Sequence, residues 1–346
     1  MEELISLAAG RGASDLHLVC GLPPKLRVDG RLLDVENASP LTPEDCLRYA
    51  ELLSGGALPA DCGELDLART IAGTRVRINL FRQQGQISAA VRLLSDRIPK
   101  LEGLGLPPAV PELTRLGRGI VLVTGVTGSG KSTTLAALLD AINHSQDGHI
   151  ITLEDPIEYI YTPDRCIINQ REIGKDTASY ADGLRAALRE DPDIILIGEM
   201  RDLDTIETAL TAAETGHLVF ATLHTGSAAD AVDRIVSVFP QGRQQQIRMQ
   251  LSMTLQAVLS QQLLPRAAGG GRVLACEVMM VNAAIRNLIR EGKTPQIANA
   301  IATSAKDGCI TMDNALIRLV QSRAISAAVA REYASDPDYV KKTCPF

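Results

Sequence analysis

Apolar and polar residues alternate along the stretch TRVRINLFRQ, which begins at Thr74. Arginine and asparagine occupy every second position, and valine, isoleucine and leucine fill the positions between them. A period of two places the two sets on opposite faces of a β-strand. Arg75, Arg77 and Asn79 therefore share one face, and a second alternating strand is predicted after Gln84-Gly85.

The first 95 residues as a whole have the pattern of a small α+β domain. The segment LISLAAGRGASDLHLV predicts a helix, a glycine turn and a strand, and PKLRVDGRLLDV predicts a hairpin that turns at Asp29-Gly30. Thr42 and Asp45 have the spacing of a capping box, so a helix is expected to begin there and to end at Gly55-Gly56. Residues 1–95 are thus predicted to form the N-terminal domain.

A change of pattern separates this domain from the rest of the chain. Residues 96–112 carry proline and glycine at close spacing without an apolar period, which predicts a linker. From residue 113 to 346, apolar strands such as GIVLVTG, HIITLED, DIILIGE and HLVFATL alternate with helical segments. Such strands are typical of a parallel sheet covered on both faces, so an α/β domain is predicted. Beyond about residue 228 the pattern is mostly helical, with one hairpin strand in GGGRVLACEVMMV.

The composition narrows the class of protein. The chain has 346 residues, a net charge of −6, no tryptophan and 3% aromatic residues, so no groove or stacking surface for nucleic acid is indicated. The seven cysteines include no CxxC pair, which argues against a zinc ribbon. No apolar run is long enough to span a membrane and the N-terminus does not resemble a signal peptide, so a cytoplasmic protein is expected.

The segment GVTGSGKST, residues 125–133, fits the phosphate-binding pattern G-x-x-x-x-G-K-[ST] at every position. It follows an apolar strand and opens a helical segment, so backbone N–H groups can face phosphate oxygens. Lys131 is expected to reach the β- and γ-phosphates of a nucleotide, and the Ser132 hydroxyl to bind Mg²⁺. The predicted nucleotide-binding residues are Thr127, Gly128, Ser129, Gly130, Lys131, Ser132 and Thr133.

Acidic residues follow two of the predicted parallel strands. Glu154, Asp155 and Glu158 come after HIITL, whereas Glu199 comes after IILI, one position beyond Gly198. Since parallel strands present their carboxyl ends at one edge of a sheet, both clusters should face the phosphates. One carboxylate can hold Mg²⁺ through water, and another can orient or deprotonate an attacking water molecule.

Basic side chains near these segments allow two interpretations. Arg185 and Arg189 are four residues apart on one helical face, where they could meet phosphate or an acid of another protomer, or could be solvated. His217 and His224 stand at the two ends of the strand LVFATL. A histidine there can sense a phosphate or can be purely structural.

The ordered motifs resemble those of a known family. GVTGSGKST, ITLEDPIEY, LREDPDIILIGEMRD and TGHLVFATLHT resemble the Walker A, Asp box, Walker B and His box of the secretion ATPase superfamily, which drives type II and type IV secretion and type IV pilus machines. The resemblance extends over essentially the whole chain. It implies an α/β, RecA-like P-loop domain preceded by a smaller PAS-like α+β domain, and a homohexamer that binds ATP and Mg²⁺.

The same resemblance implies roles for individual residues. Glu158 would be the catalytic carboxylate, and Glu199 would help to hold Mg²⁺ through water. Arg77 and Arg92 match arginines of the N-terminal domain that reach the γ-phosphate. The other implied functional residues are Lys131 of Walker A, Arg185 and Arg189 near the protomer interface, and His217 and His224 of the His box.

One segment points to a branch of the family. AAIRNLIREGK, residues 283–293, has the pattern of an amphipathic helix with a glycine stop, and it resembles a segment that type IV pilus retraction ATPases need for retraction. The matching residues are Ala284, Ile285, Arg286, Asn287, Leu288, Ile289 and Arg290.

The expected function is therefore a hexameric ATP-hydrolysing motor for pilus retraction. The resemblance places it at the cytoplasmic face of the inner membrane through a pilus platform protein, without nucleic acid. A pilus-assembly or type II secretion ATPase of the same superfamily, or a nucleotide-binding regulator with little turnover, is the alternative.

Overall fold

The computed structural model describes residues 1–28, 30–58, 63–94 and 97–344. The chain divides into two units, Met1–Ile98 with Pro156–Ile160, and Pro99–Asp155 with Tyr161–Phe346. The short segment Pro156–Ile160, which carries Glu158, thus belongs to the first unit although the second unit surrounds it in sequence. Within the described residues, no helix has the length and apolarity required to cross a membrane.

The first unit is a six-stranded antiparallel sheet with two helices. Its elements are α1 (Glu2–Gly10), β1 (Asp15–Leu18), β2 (Lys25–Val28), β3 (Arg31–Asp34), α2 (Pro43–Ser54), β4 (Glu64–Ile71), β5 (Thr74–Gln83) and β6 (Gln86–Leu93). The strand order in the sheet is β3-β2-β1-β6-β5-β4. This smaller α+β unit agrees with the predicted fold class.

Local sequence patterns account for most of this unit. The alternation in β5 buries Val76 and Ile78 completely in a core that also contains residues of both helices. The predicted capping box is confirmed, because the Thr42 side chain accepts from the Asp45 N–H. The predicted hairpin between β2 and β3 is also confirmed, although Asp29 at its turn lies outside the described residues.

The stretch predicted to be a linker contains two short 3₁₀ helices, Leu101–Leu104 and Pro111–Arg115. Val110 and Leu113 are fully buried, and the range Pro99–Asp155 belongs to the second unit. Because prolines are frequent in this stretch, its buried apolar residues do not repeat with the period of a helix or a strand, and the sequence pattern does not reveal that they are buried.

The second unit contains a seven-stranded sheet and the remaining helices of the described chain. Its strands are β7 (Gly119–Thr124), β8 (Gly148–Glu154), β9 (Cys166–Glu172), β10 (Ile194–Ile197), β11 (Leu218–Leu223), β12 (Leu255–Pro265) and β13 (Arg272–Met280). Its α-helices are α3 (Lys131–Ser145), α4 (Tyr180–Ala187), α5 (Leu203–Glu214), α6 (Ala228–Ser237), α7 (Gln241–Thr254), α8 (Ala283–Glu291), α9 (Ile297–Thr303), α10 (Met312–Gln321), α11 (Ala327–Tyr333) and α12 (Pro337–Thr343). Two further 3₁₀ helices span Thr294–Gln296 and Ala305–Asp307.

The sheet has the order β13-β12-β7-β11-β10-β8-β9, and its neighbouring strands are parallel except for the β12/β13 pair. Thr124 at the end of β7 pairs with Leu223 at the end of β11. Ile197 at the end of β10 pairs with Ala221 on one side and Leu153 on the other. The carboxyl ends of these four strands therefore meet at one edge, as the predicted α/β domain requires.

The prediction of a mostly helical chain after residue 228 is wrong at β12. This strand lies between β7 and β13 inside the sheet, where Ala257, Val258 and Leu259 are completely buried. A strand that is buried on both faces has no period of two, so its apolar run cannot be told from a helix by pattern alone.

Glu277 of β13 is a buried carboxylate that joins two helix N-termini. Its Oε1 accepts from the N–H of Ala228, the first residue of α6, at 2.8 Å. Its Oε2 accepts from the N–H of Met312, the first residue of α10, at 3.3 Å. Burial raises the pKa of Glu277, whereas these two hydrogen bonds act in the opposite direction.

We expect Glu277→Ala to lower the free energy of unfolding of the second unit by about 2–4 kcal/mol, because two helix N–H groups lose a buried acceptor. Glu277→Gln keeps the shape and one acceptor oxygen and should cost less. Urea unfolding of the two variants measures the difference. Glu332→Ala, at an exposed position of α11, serves as the control and should match wild type. Equal stability of Glu277→Ala and wild type would show that the two hydrogen bonds to Glu277 do not stabilise the unit.

Candidate active site

The loop between β7 and α3 has the backbone shape of a phosphate cradle. Gly125, Gly128 and Gly130 have backbone φ values of 140°, 80° and 96°, which residues other than glycine rarely adopt. A Cβ atom at Gly125 would lie 2.4 Å from the Gln261 carbonyl oxygen and 2.5 Å from Ser129 Oγ. The loop therefore requires glycine for conformation and for space, as the predicted P-loop does.

Polar groups of the loop are arranged for an anion. The Lys131 ammonium donates to the carbonyl oxygens of Gly125 and Val126 at 2.8 and 3.1 Å, which holds it over the loop. Ser129 Oγ is buried and has no hydrogen-bond partner among the described residues. Thr127, Gly128 and the α3 residue Ser132 are exposed. An α-helix N-terminus, a lysine and an unpaired hydroxyl together fit a phosphate group.

Glu199 follows β10 at the same edge of the sheet. Its carboxylate accepts from Arg201 Nε at 2.7 Å and lies 3.4 Å from His224 Nε2. Burial acts to raise the pKa of Glu199, but hydrogen bonds and charge from Arg201 and His224 outweigh it and hold the pKa below its ordinary value. Glu199 is therefore a fixed anion, which suits a carboxylate that contacts a cation or its bound water.

Gly198 occupies the strand-end position because a side chain has no room there. A Cβ atom at Gly198 would lie 2.9 Å from the Tyr180 hydroxyl oxygen and 3.1 Å from the Leu153 carbonyl oxygen. Burial, together with the negative charges of Asp155 and Glu199, raises the pKa of the Tyr180 hydroxyl. At neutral pH this group therefore stays protonated and is a neutral hydrogen-bond donor at the acidic edge.

The two acids at the end of β8 differ in their surroundings. Glu154 Oε1 accepts from Thr152 Oγ1 at 2.6 Å and from Gln170 Nε2 at 3.2 Å, so its carboxylate is tied to the sheet. Asp155 is exposed. Among the acids of these two clusters in the second unit, Asp155 and Glu199 raise the pKa of the Tyr180 hydroxyl the most through their charge.

The remaining predicted acid and two predicted arginines lie in the first unit. Glu158 is half-buried in the segment Pro156–Ile160. Arg77 and Arg92 are directly opposed on β5 and β6. Arg92 Nε donates to Asp15 Oδ1 at 3.2 Å, which offsets the repulsion between the two guanidinium groups.

The two predicted histidines are far apart. His224 directly follows β11 at the edge that carries the P-loop and contacts Glu199. His217 directly precedes the same strand, seven residues before His224, so the six-residue strand separates it from that edge by about 20 Å. Its Nδ1 lies 2.9 Å from the Ala212 carbonyl oxygen. His217 and His224 thus stand at the two ends of β11, as the sequence predicted, and of the two only His224 lies at the edge that carries the P-loop.

Arg185 and Arg189 have partners within the chain. Arg185 lies on α4 and pairs with Asp182 at 3.1 Å and with Asp204 at 3.5 Å. Arg189 lies beyond the end of α4, and its Nη1 donates to the Arg185 carbonyl oxygen at 3.1 Å. Both side chains are exposed, so they remain accessible to another protomer.

The donor set fits Mg²⁺ only together with a nucleotide. Among residues 1–28, 30–58, 63–94 and 97–344, no group of three or more His, Cys, Asp or Glu side chains could hold a metal ion. Mg²⁺ in nucleotide sites needs no such cage, because it keeps several waters and is completed by phosphate oxygens. An exposed Ser132 hydroxyl at the P-loop and an ionised Glu199 at the same edge satisfy this requirement.

Sequence reasoning missed two members of the site. Arg201 could have been found, because an arginine two residues after Glu199 in GEMRD suggests an ion pair. Tyr180 carries no such signal, since only the packing of α4 against the ends of β8 and β10 brings its hydroxyl to Gly198.

We expect Gly198→Ala to lower the melting temperature, because the new Cβ would overlap the Tyr180 hydroxyl, a type of overpacking that costs about 1–3 kcal/mol. The same change made in a Tyr180→Phe background should cost clearly less. Thermal melts of the two single variants and the double variant form the required cycle. Strictly additive effects would show that Tyr180 is not what excludes a side chain from position 198.

Known proteins similar to this chain include pilus motors. The chain is 47% identical over 340 residues to the type IV pilus retraction ATPase PilT of Pseudomonas aeruginosa, covering 97% of this chain and 98% of the relative. It is 49% identical over 264 residues to a twitching motility protein of Neisseria gonorrhoeae, covering 76% and 71% of the two chains. A crystal structure of the pilus retraction motor PilT with bound ADP matches with a TM-score of 0.90 and 46% identity over 99% of both chains.

The family model described as type II/IV secretion system protein matches residues 70–331. This match and the identity to the relatives confirm the resemblance that the four motifs indicated. The chain belongs to the type II/IV secretion system protein family.

Proposed function

We propose that the protein is an ATP-hydrolysing motor that powers retraction of a type IV pilus. The observation that carries this proposal is the complete P-loop, with the ionised Glu199 at the same edge of the sheet, in a chain that is 47% identical to a retraction ATPase over almost its full length. The ADP in the similar crystal structure supports a nucleotide as ligand.

The P-loop would bind the phosphates of ATP. Backbone N–H groups of the glycine-rich loop and the N-terminus of α3 face the anion, and the Lys131 ammonium moves from the loop carbonyls to the β- and γ-phosphates. Mg²⁺ would be held by Ser132 directly and by Glu199 through water, and when bound it neutralises charge that develops on the phosphates. Arg201 and His224 keep the Glu199 carboxylate ionised and oriented.

Hydrolysis requires a group that activates water. We assign this role to Glu158, whose carboxylate would orient and deprotonate the attacking water molecule. Arg77 and Arg92 would stabilise the charge that develops on the γ-phosphate. Arg185 and Arg189 would serve the interface between protomers of a homohexamer.

The motor would act through an inner-membrane pilus platform protein at the cytoplasmic face. The intact set of Lys131, Glu158 and Glu199 argues against a regulator that binds nucleotide with little turnover. A pilus-assembly or type II secretion ATPase is disfavoured by the segment in α8 that resembles retraction ATPases and by the high identity to a retraction ATPase over the whole chain.

We expect Glu158→Gln to bind ATP with Mg²⁺ normally but to hydrolyse it about 10²–10⁴-fold more slowly, since the amide cannot accept the proton of water. Steady-state release of phosphate and equilibrium binding of a fluorescent ATP analogue measure the two properties. Glu102→Gln, at an exposed position outside the site, is the matched control. Near-normal turnover by Glu158→Gln would remove Glu158 from the catalytic role.

The segment Ala284–Arg290 lies on α8, and its residues divide into buried and exposed sets. Ile285 and Ile289 are fully buried in the core of the second unit. Arg286 donates from Nη1 to the Ser252 carbonyl oxygen at 2.7 Å, at the end of α7, and burial lowers its pKa. Deleting the whole segment would therefore damage the core, so only its exposed residues can report on a separate role in retraction.

We expect the double substitution Asn287→Ala/Arg290→Ala to leave ATP hydrolysis and the melting temperature near wild type, because both side chains are exposed. It should abolish pilus retraction, because both residues belong to the segment that resembles the one retraction ATPases need. Twitching of a strain that lacks its own retraction motor and carries the variant measures retraction. Ile289→Ala should instead reduce stability and hydrolysis together. Normal twitching by the double variant would argue against a retraction surface on α8.

A further inference from the structure

Arg75 makes a two-point contact with one main-chain oxygen. It lies on β5, on the polar face that it shares with Arg77. Its Nε and Nη2 both donate to the Ile157 carbonyl oxygen, at 3.1 and 2.9 Å. A planar guanidinium that directs two N–H groups at one oxygen restricts the direction of that oxygen as well as its distance.

The oxygen that Arg75 holds belongs to the segment that carries Glu158. Pro156 restricts the backbone at the start of this segment, and the Ile157 side chain is only 8% exposed. Arg75 and Pro156–Ile160 belong to the same unit. Three features thus restrict the backbone just before Glu158: the ring of Pro156, the buried side chain of Ile157 and the two hydrogen bonds from Arg75.

The contact acts on Glu158 through a peptide plane. The Ile157 carbonyl and the Glu158 nitrogen are part of one peptide unit, which is planar within narrow limits. Holding the oxygen therefore restricts the directions open to the bond from that nitrogen to the Glu158 Cα. The contact thus limits the backbone movements that could displace the Glu158 side chain.

We infer that Arg75 is a positioning residue for Glu158, which it orients through the Ile157 carbonyl. This inference rests on the proposed function, in which Glu158 is the carboxylate that activates water. Arg75 acts on the backbone of the segment, so its loss should slow the chemical step and leave nucleotide binding unchanged. A residue that only supports the fold would alter stability, binding and turnover together.

The test uses the full-length protein with Arg75→Ala and Arg75→Lys. We expect Arg75→Ala to reduce kcat about 10–100-fold with KM within about twofold, since small misplacements of a catalytic group have effects of this size. Arg75→Lys offers a single ammonium in place of the two-point contact, so it should recover part of the rate. Asn79→Ala is the matched control, because Asn79 lies on the same face of β5 and donates to Asp66 Oδ1 at 3.3 Å.

A double-mutant cycle separates positioning from a general loss of structure. In a Glu158→Gln background, Arg75→Ala should reduce kcat by less than about threefold, because the group that it orients has already lost its function. Multiplicative loss in the double variant would overturn the inference. So would a kcat for Arg75→Ala equal to wild type, or a rise in KM that accounts for the whole effect.

Hydrogen exchange gives a measurement that does not depend on turnover. Amide exchange in a peptide that covers residues 157–160 should be faster in Arg75→Ala than in wild type and in Asn79→Ala, and unchanged exchange would overturn the inference. If wild-type protein fails to hydrolyse ATP, the proposed function falls. The exchange result then still decides whether Arg75 holds the segment.

Discussion

The register of four parallel strands is the constraint on which the candidate site depends. β7, β11, β10 and β8 end within a few residues of one another, and the chain after each end supplies the P-loop, His224, Gly198-Glu199 and Glu154-Asp155. The strands are apolar on both faces, so burial does not favour one face over the other. Hydrogen bonding and the packing of helices on both sides must therefore hold the register that brings these groups together.

The two acids to which the proposed function gives roles are supported in different ways within their own units. Glu199 is held in its ionised form by the side chains of Arg201 and His224 within the second unit. Glu158 lies on a segment that packs in the first unit, where Arg75 holds its backbone. The acid proposed to hold Mg²⁺ thus depends on electrostatics around a carboxylate, whereas the acid proposed to activate water depends on main-chain geometry.

Much of the fold and the centre of the site could be predicted from the sequence, because they depend on local patterns. The P-loop, the alternation of β5 and the capping box at Thr42 each involve residues that are close in the chain. The rest required contacts between distant segments. β12 has no distinguishing period, Tyr180 meets Gly198 only through helix packing, and Arg75 reaches Ile157 across 82 residues.

The contact between Gly198 and Tyr180 also limits how this sequence can change over time. Glycine and aspartate codons differ by a single base, so an aspartate at the end of β10 is close in sequence. The Tyr180 hydroxyl and the Leu153 carbonyl oxygen, 2.9 and 3.1 Å from a Cβ at that position, both make this step unfavourable. A smaller residue at position 180 would remove one of these two contacts, so a change there makes a later change at position 198 less costly. With glycine at position 198, the carboxylate lies one residue further along, at Glu199.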